Sequence, residues 1–340
     1  MVTLKEISSK TGYSIATISR VLNEDKTLSV TDSTRKKILQ AAGELDYERQ
    51  PRGRQKESEV YLAGIIEMDT FSEFIDDPYY MYLKKDIEQK CLEERVETVL
   101  LQYDSEADCY LNHFNKKLDG IIAIGQFSDK QIKKMCELSQ IILFVDSSPY
   151  EDRFSSVVPN YYVGMSQGID YLAGIGHRKI AFVGPKMSLD SLGRESSETR
   201  YMIFSEYIAN YYNGIVEGVR LNTQNVDTGH VIEQYIKEDP DPAKVFFCYN
   251  EKTAINVVRG ILNLGCRIPE DFGVVSYNDT VLATLTQPNL TGIKIPIKEM
   301  AAIAVRMFKD AVGEKEWLPV KIQVPSKLVI RESLKVPKSS

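Results

Sequence analysis

Twenty residues near the N-terminus, Thr3 to Leu22 (TLKEISSKTGYSIATISRVL), constrain this chain most, because they hold two helix starts and one stop at a spacing that leaves room only for a tight helical hairpin. Thr3 suits an N-cap, with Glu6 at the third helical position to complete a reciprocal capping box. Leu4 and Ile7 mark the inward face of that first helix, and Gly12 permits the left-handed backbone that ends it. Ser14 can cap a second helix in which Ile18, Val21 and Leu22 fall at inward spacing. Its outward face carries Ile15, Ala16, Ser19 and Arg20. A surface that starts small and apolar and turns cationic suits a DNA major groove, where methyls meet thymine methyls and a guanidinium bonds guanine O6 and N7. A purely structural hairpin would carry the same caps, so the residues alone leave both readings open.

A polar stretch, NEDKTLSV, leads to a third helix that Thr31 can cap, expected from Asp32 to Leu45, with Ile38, Leu39, Ala42 and Leu45 closing a small core. Arg35, Lys36 and Lys37 read as a solvated face, with phosphate contact as the sharper alternative. T-L-K-E-I, the run S-x-A-T-I-S-R-V-L-N from Ser14 to Asn23, and T-R-K-K-I-L from Thr34 to Leu39 together resemble the headpiece of the LacI/GalR-family repressors, and the likeness continues through most of the chain. The resemblance implies a sequence-specific DNA-binding protein in which Ile15 and Ala16 discriminate bases, with Thr3, Leu4, Ser14, Thr17, Ser19, Arg20 and Asn23 also in contact. A small aliphatic residue followed by alanine is similar to the galactose and evolved-β-galactosidase branch of that family.

Residues Tyr47 to Ser58 (YERQPRGRQKES) read as a basic linker broken by Pro51 and Gly53. Family members generally place a hinge helix here, with a leucine that wedges into the minor groove. This chain departs from that pattern, having neither alanine nor leucine between Tyr47 and Tyr61. Arg52 and Arg54 instead offer contacts along phosphates or a narrow minor groove.

Charge supports the division. The net charge is −6, yet residues 1–56 hold eleven Lys and Arg against seven Asp and Glu, which leaves the remainder at −10. The basic part is the part expected to touch phosphate, and the acidic body discourages non-specific wrapping of a polyanion. No apolar run approaches the length of a membrane span and no signal-peptide pattern opens the chain, so the expectation is a cytoplasmic protein with no membrane partner. The five cysteines, Cys91, Cys109, Cys136, Cys248 and Cys266, are scattered without a Cys-x-x-Cys pair and read as reduced core residues.

From Tyr61 the texture changes to short apolar runs alternating with helical segments, as in a parallel sheet covered on both faces. Strands are expected in YLAGIIEM, ETVLLQY, LDGIIAIG and QIILFVD, and again in KIAFVGP, IVEGVRL, AKVFFCYN and FGVVSYND. Two such units imply two lobes with a ligand crevice at the strand C-terminal ends. The expected architecture is an all-α helix-turn-helix headpiece (1–47), a linker (48–59), and an α/β sensor of two doubly wound lobes. The resemblance makes that sensor similar to a type I periplasmic binding protein, whose chain crosses between lobes three times. The first lobe is expected at 60–158 and 290–319, the second at 159–289 and 320–334, with a tail at 335–340.

The resemblance also places an effector, expected to be galactose or a galactoside. Asp146, Asn250 and Asn278 stand at strand ends where a carboxylate or amide can grip vicinal hydroxyls. Arg200 matches an arginine that reaches into the cleft, its alternative being a surface salt bridge. Asp77-Pro78-Tyr79-Tyr80 resembles a family turn whose aromatic ring stacks on the sugar, with core packing as the alternative for Tyr79 or Tyr80. A homodimer on a pseudo-palindromic operator follows from the small reach of one headpiece.

An enzyme is the main rival reading. The fragment Gly174-Ile-Gly-His177 lacks the third glycine of a dinucleotide site and precedes a strand instead of following one. His113, His177 and His230 lie far apart, so no metal site, cofactor or catalytic set is expected. A sugar-binding protein without a DNA role and a repressor that needs a corepressor remain as alternatives.

Overall fold

In the computed structural model, which describes residues 3–22, 28, 30–45, 60–68, 78–112, 116–314 and 316–335, the chain separates into two units, Met1–Glu59 and Val60–Ser340. The first unit contains helices α1 (Leu4–Thr11), α2 (Ile15–Leu22) and α3 (Asp32–Glu44). The capping box is present in full: Thr3 N–H donates to the Glu6 carboxylate at 2.6 Å and Glu6 N–H returns to Thr3 Oγ1 at 3.4 Å. Gly12 ends α1 at φ +75°, a conformation that costs a residue with a Cβ. Ser14 Oγ accepts from Thr17 N–H at 3.1 Å and Thr31 Oγ1 from Thr34 N–H at 3.3 Å, so α2 and α3 start where their caps indicate.

Ile7, Ile18, Val21, Ile38, Ala41 and Ala42 form the core of this unit, with Leu4, Tyr13, Leu22 and Leu45 packed around it. Each large aliphatic buried there contributes roughly 1.5–3 kcal/mol. One expectation fails: Leu39 is 50% exposed. It lies about 100° round the helix from Ile38, and the face that meets α1 and α2 is Ile38, Ala41, Ala42 and Leu45.

The second unit holds two mainly parallel sheets. The first comprises β1 (Tyr61–Glu67), β2 (Val96–Asp104), β3 (Cys109–Leu111), β4 (Gly120–Ile124), β5 (Ile142–Val145), β6 (Ser155–Asn160) and, from near the C-terminus, β14 (Lys321–Pro325), in the order β14-β6-β5-β4-β1-β2-β3. Helices α4 (Tyr79–Glu93) and α5 (Asp129–Leu138) lie between its strands, and α6 (Tyr161–Gly174) opens the second lobe. That lobe contains β7 (Lys179–Gly184), a hairpin of β8 (Met187–Leu189) and β9 (Glu195–Ser197), α7 (Thr199–Tyr211), β10 (Glu217–Asn222), α8 (Thr228–Glu238), β11 (Val245–Cys248), α9 (Glu251–Asn263), β12 (Gly273–Asn278) and β13 (Thr291–Lys294). Its sheet order is β10-β7-β11-β12-β13-β15, β15 being Lys327–Val329. The helix α10 (Ile297–Gly313) packs on α4, β4, β5 and β6 of the first lobe.

The strands β4, β5, β11 and β12 are buried along their whole length, which is why they read as continuous apolar runs. The lobe boundaries near the C-terminus need correction. Thr291–Lys294 pairs with β12 in the second lobe and Lys321–Pro325 pairs with β6 in the first, the reverse of the assignment expected for these two pieces. The chain therefore passes between lobes after Asn160, after β13 and between β14 and β15.

Order reverses at β1/β4 in one sheet and β7/β11 in the other, so each lobe has a switch point where the strand C-terminal ends open into a crevice. Among the described residues no helix is long and apolar enough to cross a membrane. The described cysteines form no bridge; Cys91 and Cys248 are buried, and the other three half-buried. Burial pushes the Cys91 thiol up to about 12, far from the thiolate that reactivity needs.

Candidate functional site

The headpiece surface follows from the caps. Ser14 sets where α2 begins, and inward packing of Ile18 and Val21 decides which residues face out. Ile15, 47% exposed, and Ala16 are open to solvent at the start of α2, while Thr17, Ser19 and Arg20 are half-buried along it. Thr3 is exposed and Leu4 half-buried at the start of α1. None of these expected readers is fully buried, so each keeps some surface open to solvent. Asn23, Arg52, Arg54, Asp77 and His113 lie outside the described residues.

Between the lobes, a cavity of about 440 Å³ is lined by Tyr80, Asp146, Arg200 and Asn250, four of the six residues expected there. Asp146 follows β5 with φ +70°, a left-handed conformation that Asp tolerates better than most side chains. Tyr79 and Tyr80 donate to its two carboxylate oxygens, each at 2.8 Å, which fixes its rotation. Burial, then the Asp146 charge, pushes both phenols well above their ordinary range, so both remain donors.

Arg200, at the start of α7, is 11% exposed and bonds Glu198 at 2.8 Å; Glu198 itself is only 2% exposed. Arg200 Nη1 also donates to the Tyr249 carbonyl at 3.0 Å, and the guanidinium lies 3.8 Å from the Tyr249 ring centroid. The rings of Tyr161 and Tyr277 stand 5.2 and 5.5 Å away. Burial, the largest single influence, would favour the neutral form, but the Glu198 charge and hydrogen bond together with Tyr249 and Tyr161 outweigh it, so Arg200 is held more firmly cationic than usual. The ion pair is thus not the surface salt bridge of the alternative: it is largely buried, and both partners line the cleft. Glu198 has a second task, accepting from Tyr201 N–H at 2.8 Å as the N-cap of α7.

Asn250 caps α9 by accepting from Thr253 N–H at 2.9 Å. Two expectations do not hold. Tyr79 is 3% exposed and packs in the core behind the cleft, against Asp146 and the edge of Tyr80, both of which line it. Asn278 is 4% exposed, with φ +90°, and does not line the cavity that the others share. The neighbouring acid, Asp279, turns to Arg331, bonded at 3.1 Å through Nη2, and so ties the end of β12 to the chain beyond β15. The resemblance placed Asn278 by its local motif at a strand end, where the backbone is left-handed at both Asn278 and Asp279, φ +90° and +54°.

Sequence reasoning missed Gln126, Tyr161, Glu198 and Tyr249. Gln126 follows β4 and is half-buried, and no hydrogen bond of its side chain is present among the described residues. Its place after GIIAIG, at a strand C-terminal end, is the signal that could have found it. Glu198 reads as one more polar residue in SSET, and nothing local announces its burial. Among the described residues no cluster of His, Cys, Asp and Glu could hold a metal ion.

A helix-turn-helix followed by a two-lobed body with a polar, aromatic-walled crevice defines a class of protein: a DNA-binding regulator with a small-molecule sensor. Residues 3–50 match the family profile described as bacterial regulatory proteins, lacI family, and residues 169–334 match the periplasmic binding protein-like domain. The chain thus joins a DNA-binding domain of the lacI type to a periplasmic-binding-protein-like domain. It is 27% identical to the HTH-type transcriptional repressor MelR of Bacillus subtilis over 98% of this chain and 97% of that protein. It is 28% identical to the HTH-type transcriptional regulator GalR of Streptococcus thermophilus over 98% of this chain and all of that one. Its fold matches a transcriptional regulator CelR–cellobiose complex (TM-score 0.65, 19% identity, 98% of this chain and 100% of that one). It also matches the lac repressor dimer bound to operator and the anti-inducer ONPF (TM-score 0.64, 21% identity, 98% and 99%).

Proposed function

We propose that this repressor binds a pseudo-palindromic operator as a homodimer and is released by a small sugar, galactose or a galactoside, held between the lobes. Ile15, Ala16 and Arg20 read base edges from α2, while Thr3, Leu4, Ser14, Thr17, Ser19 and Asn23 set its position on the duplex. Arg52 and Arg54 in the linker add contacts to phosphate or the minor groove. Asp146, Arg200 and Asn250 take the sugar hydroxyls, and Tyr80 offers an apolar ring face.

The observation that carries this reading is Asp146 and the Glu198-paired Arg200 facing one cavity from opposite lobes, with Tyr80, Tyr161 and Tyr249 beside them. A carboxylate and a guanidinium give directional partners to adjacent hydroxyls, and the rings cover the C–H face of a pyranose. A ligand held by both lobes favours their closed arrangement by the difference in its affinity for the two states. Two headpieces are needed because one reads too few base pairs for specific binding at physiological salt.

The test is to select an operator from random duplexes, then follow its fluorescence anisotropy with the full chain as galactose is added. Loss of bound operator supports an inducer; tighter binding replaces it with a corepressor; no response to galactose or its glycosides removes the sugar reading.

A further inference from the structure

The cavity holding Asp146 and Arg200 is not closed on its outer side. A second chamber of about 460 Å³ adjoins it, and Gln126, Asp146, Tyr161, Leu189 and Thr199 line both. Each volume alone falls in the range of about 300–1,000 Å³ common for small-molecule sites.

The β8–β9 hairpin runs between them. Met187, Ser188 and Glu195 face the inner chamber, and Asp190, Ser191 and Ser196 the outer one. Its tip reaches the other lobe: Ser148 N–H donates to Ser191 Oγ at 3.1 Å, and Leu192 packs against the first-lobe cluster containing Phe127, Phe144 and Phe154. Gly193, at φ +68°, lies so close that a Cβ would stand 3.2 Å from Ser128 N. The strap divides the mouth of the cleft while the shared residues keep its floor continuous.

Resting on the sugar reading above, we infer that the ligand is an elongated glycoside of at least two rings, one ring in each chamber, with its linkage beneath the hairpin. The junction offers the Gln126 amide and the Thr199 hydroxyl, neither of which has a side-chain hydrogen bond among the described residues. The outer chamber has its own apolar plate, the ring of Tyr162 (48% exposed) and Met202 (45% exposed), and polar partners in Ser196 and Gln323. That pairing of ring face and hydrogen-bonding rim repeats the chemistry of the inner chamber, and a monosaccharide would leave it unused.

The test is calorimetric titration of the full-length protein with galactose and glucose, and with lactose, melibiose and cellobiose. At least one disaccharide should bind about tenfold or more tighter than either of its constituent sugars. Tyr162→Ala with Gln323→Ala, both at exposed positions, should weaken that disaccharide by about tenfold while the monosaccharides keep their wild-type affinity. A monosaccharide that binds as tightly as every disaccharide built from it overturns the two-ring inference and leaves the sugar reading standing, as does a disaccharide indifferent to the outer pair. Absence of binding by all five overturns both.

Discussion

At the scale of single side chains, substitutions of Arg20 and Arg200 test the two proposed activities separately. Arg20→Ala should cost about 1–3 kcal/mol of operator discrimination and far less on random duplex, measured by competition; an equal loss on both would make Arg20 a phosphate contact. Arg200→Ala should leave operator binding near wild type yet abolish the response to sugar. Removing it also leaves Glu198 buried without its cation, so a thermal melt must accompany the test. A folded variant that still responds would remove Arg200 from the ligand site. Asp146 and Asn250 were legible in the sequence as polar residues just past the apolar strands β5 and β11, and Arg200 through the resemblance of its motif at the start of α7. Tyr79 and Asn278 were misread because exposure there depends on side-chain rotation and local twist, and Glu198 because its burial is set by α7 packing on another segment.

At the scale of elements, caps carried most of the information. Thr3→Ala should cost about 1 kcal/mol of headpiece stability, read by amide exchange in α1. The register of α3 has its own check. Ile38→Ala should cost about 2–5 kcal/mol, whereas Leu39→Ala should stay within about 0.5 kcal/mol; similar losses would restore the face expected from sequence. Buried strands were legible as apolar runs. β6, which contains Pro159, and the three-residue strands β3, β8 and β9 were not, since short polar strands carry no period. The hairpin that divides the cleft was hidden for that reason.

For the whole molecule, the two-lobed plan was legible because each lobe repeats the same alternation, but which lobe receives each late strand was not. Thr291–Lys294 and Lys321–Pro325 are both short extended pieces, and only pairing with β12 or β6 distinguishes them. The leucine-free linker belongs to this scale too: the operator should be bent less than one bound by a relative with a hinge leucine, seen as a smaller position dependence in gel mobility of permuted sites. The central claim is that the crevice and the headpieces share one equilibrium, and linkage makes that claim reciprocal. The direct measurement is the affinity of the most tightly bound sugar for the protein alone and for the protein saturated with operator. The account predicts weaker sugar binding on operator, by the same factor by which that sugar weakens operator binding. Equal sugar affinities in the two states would contradict it.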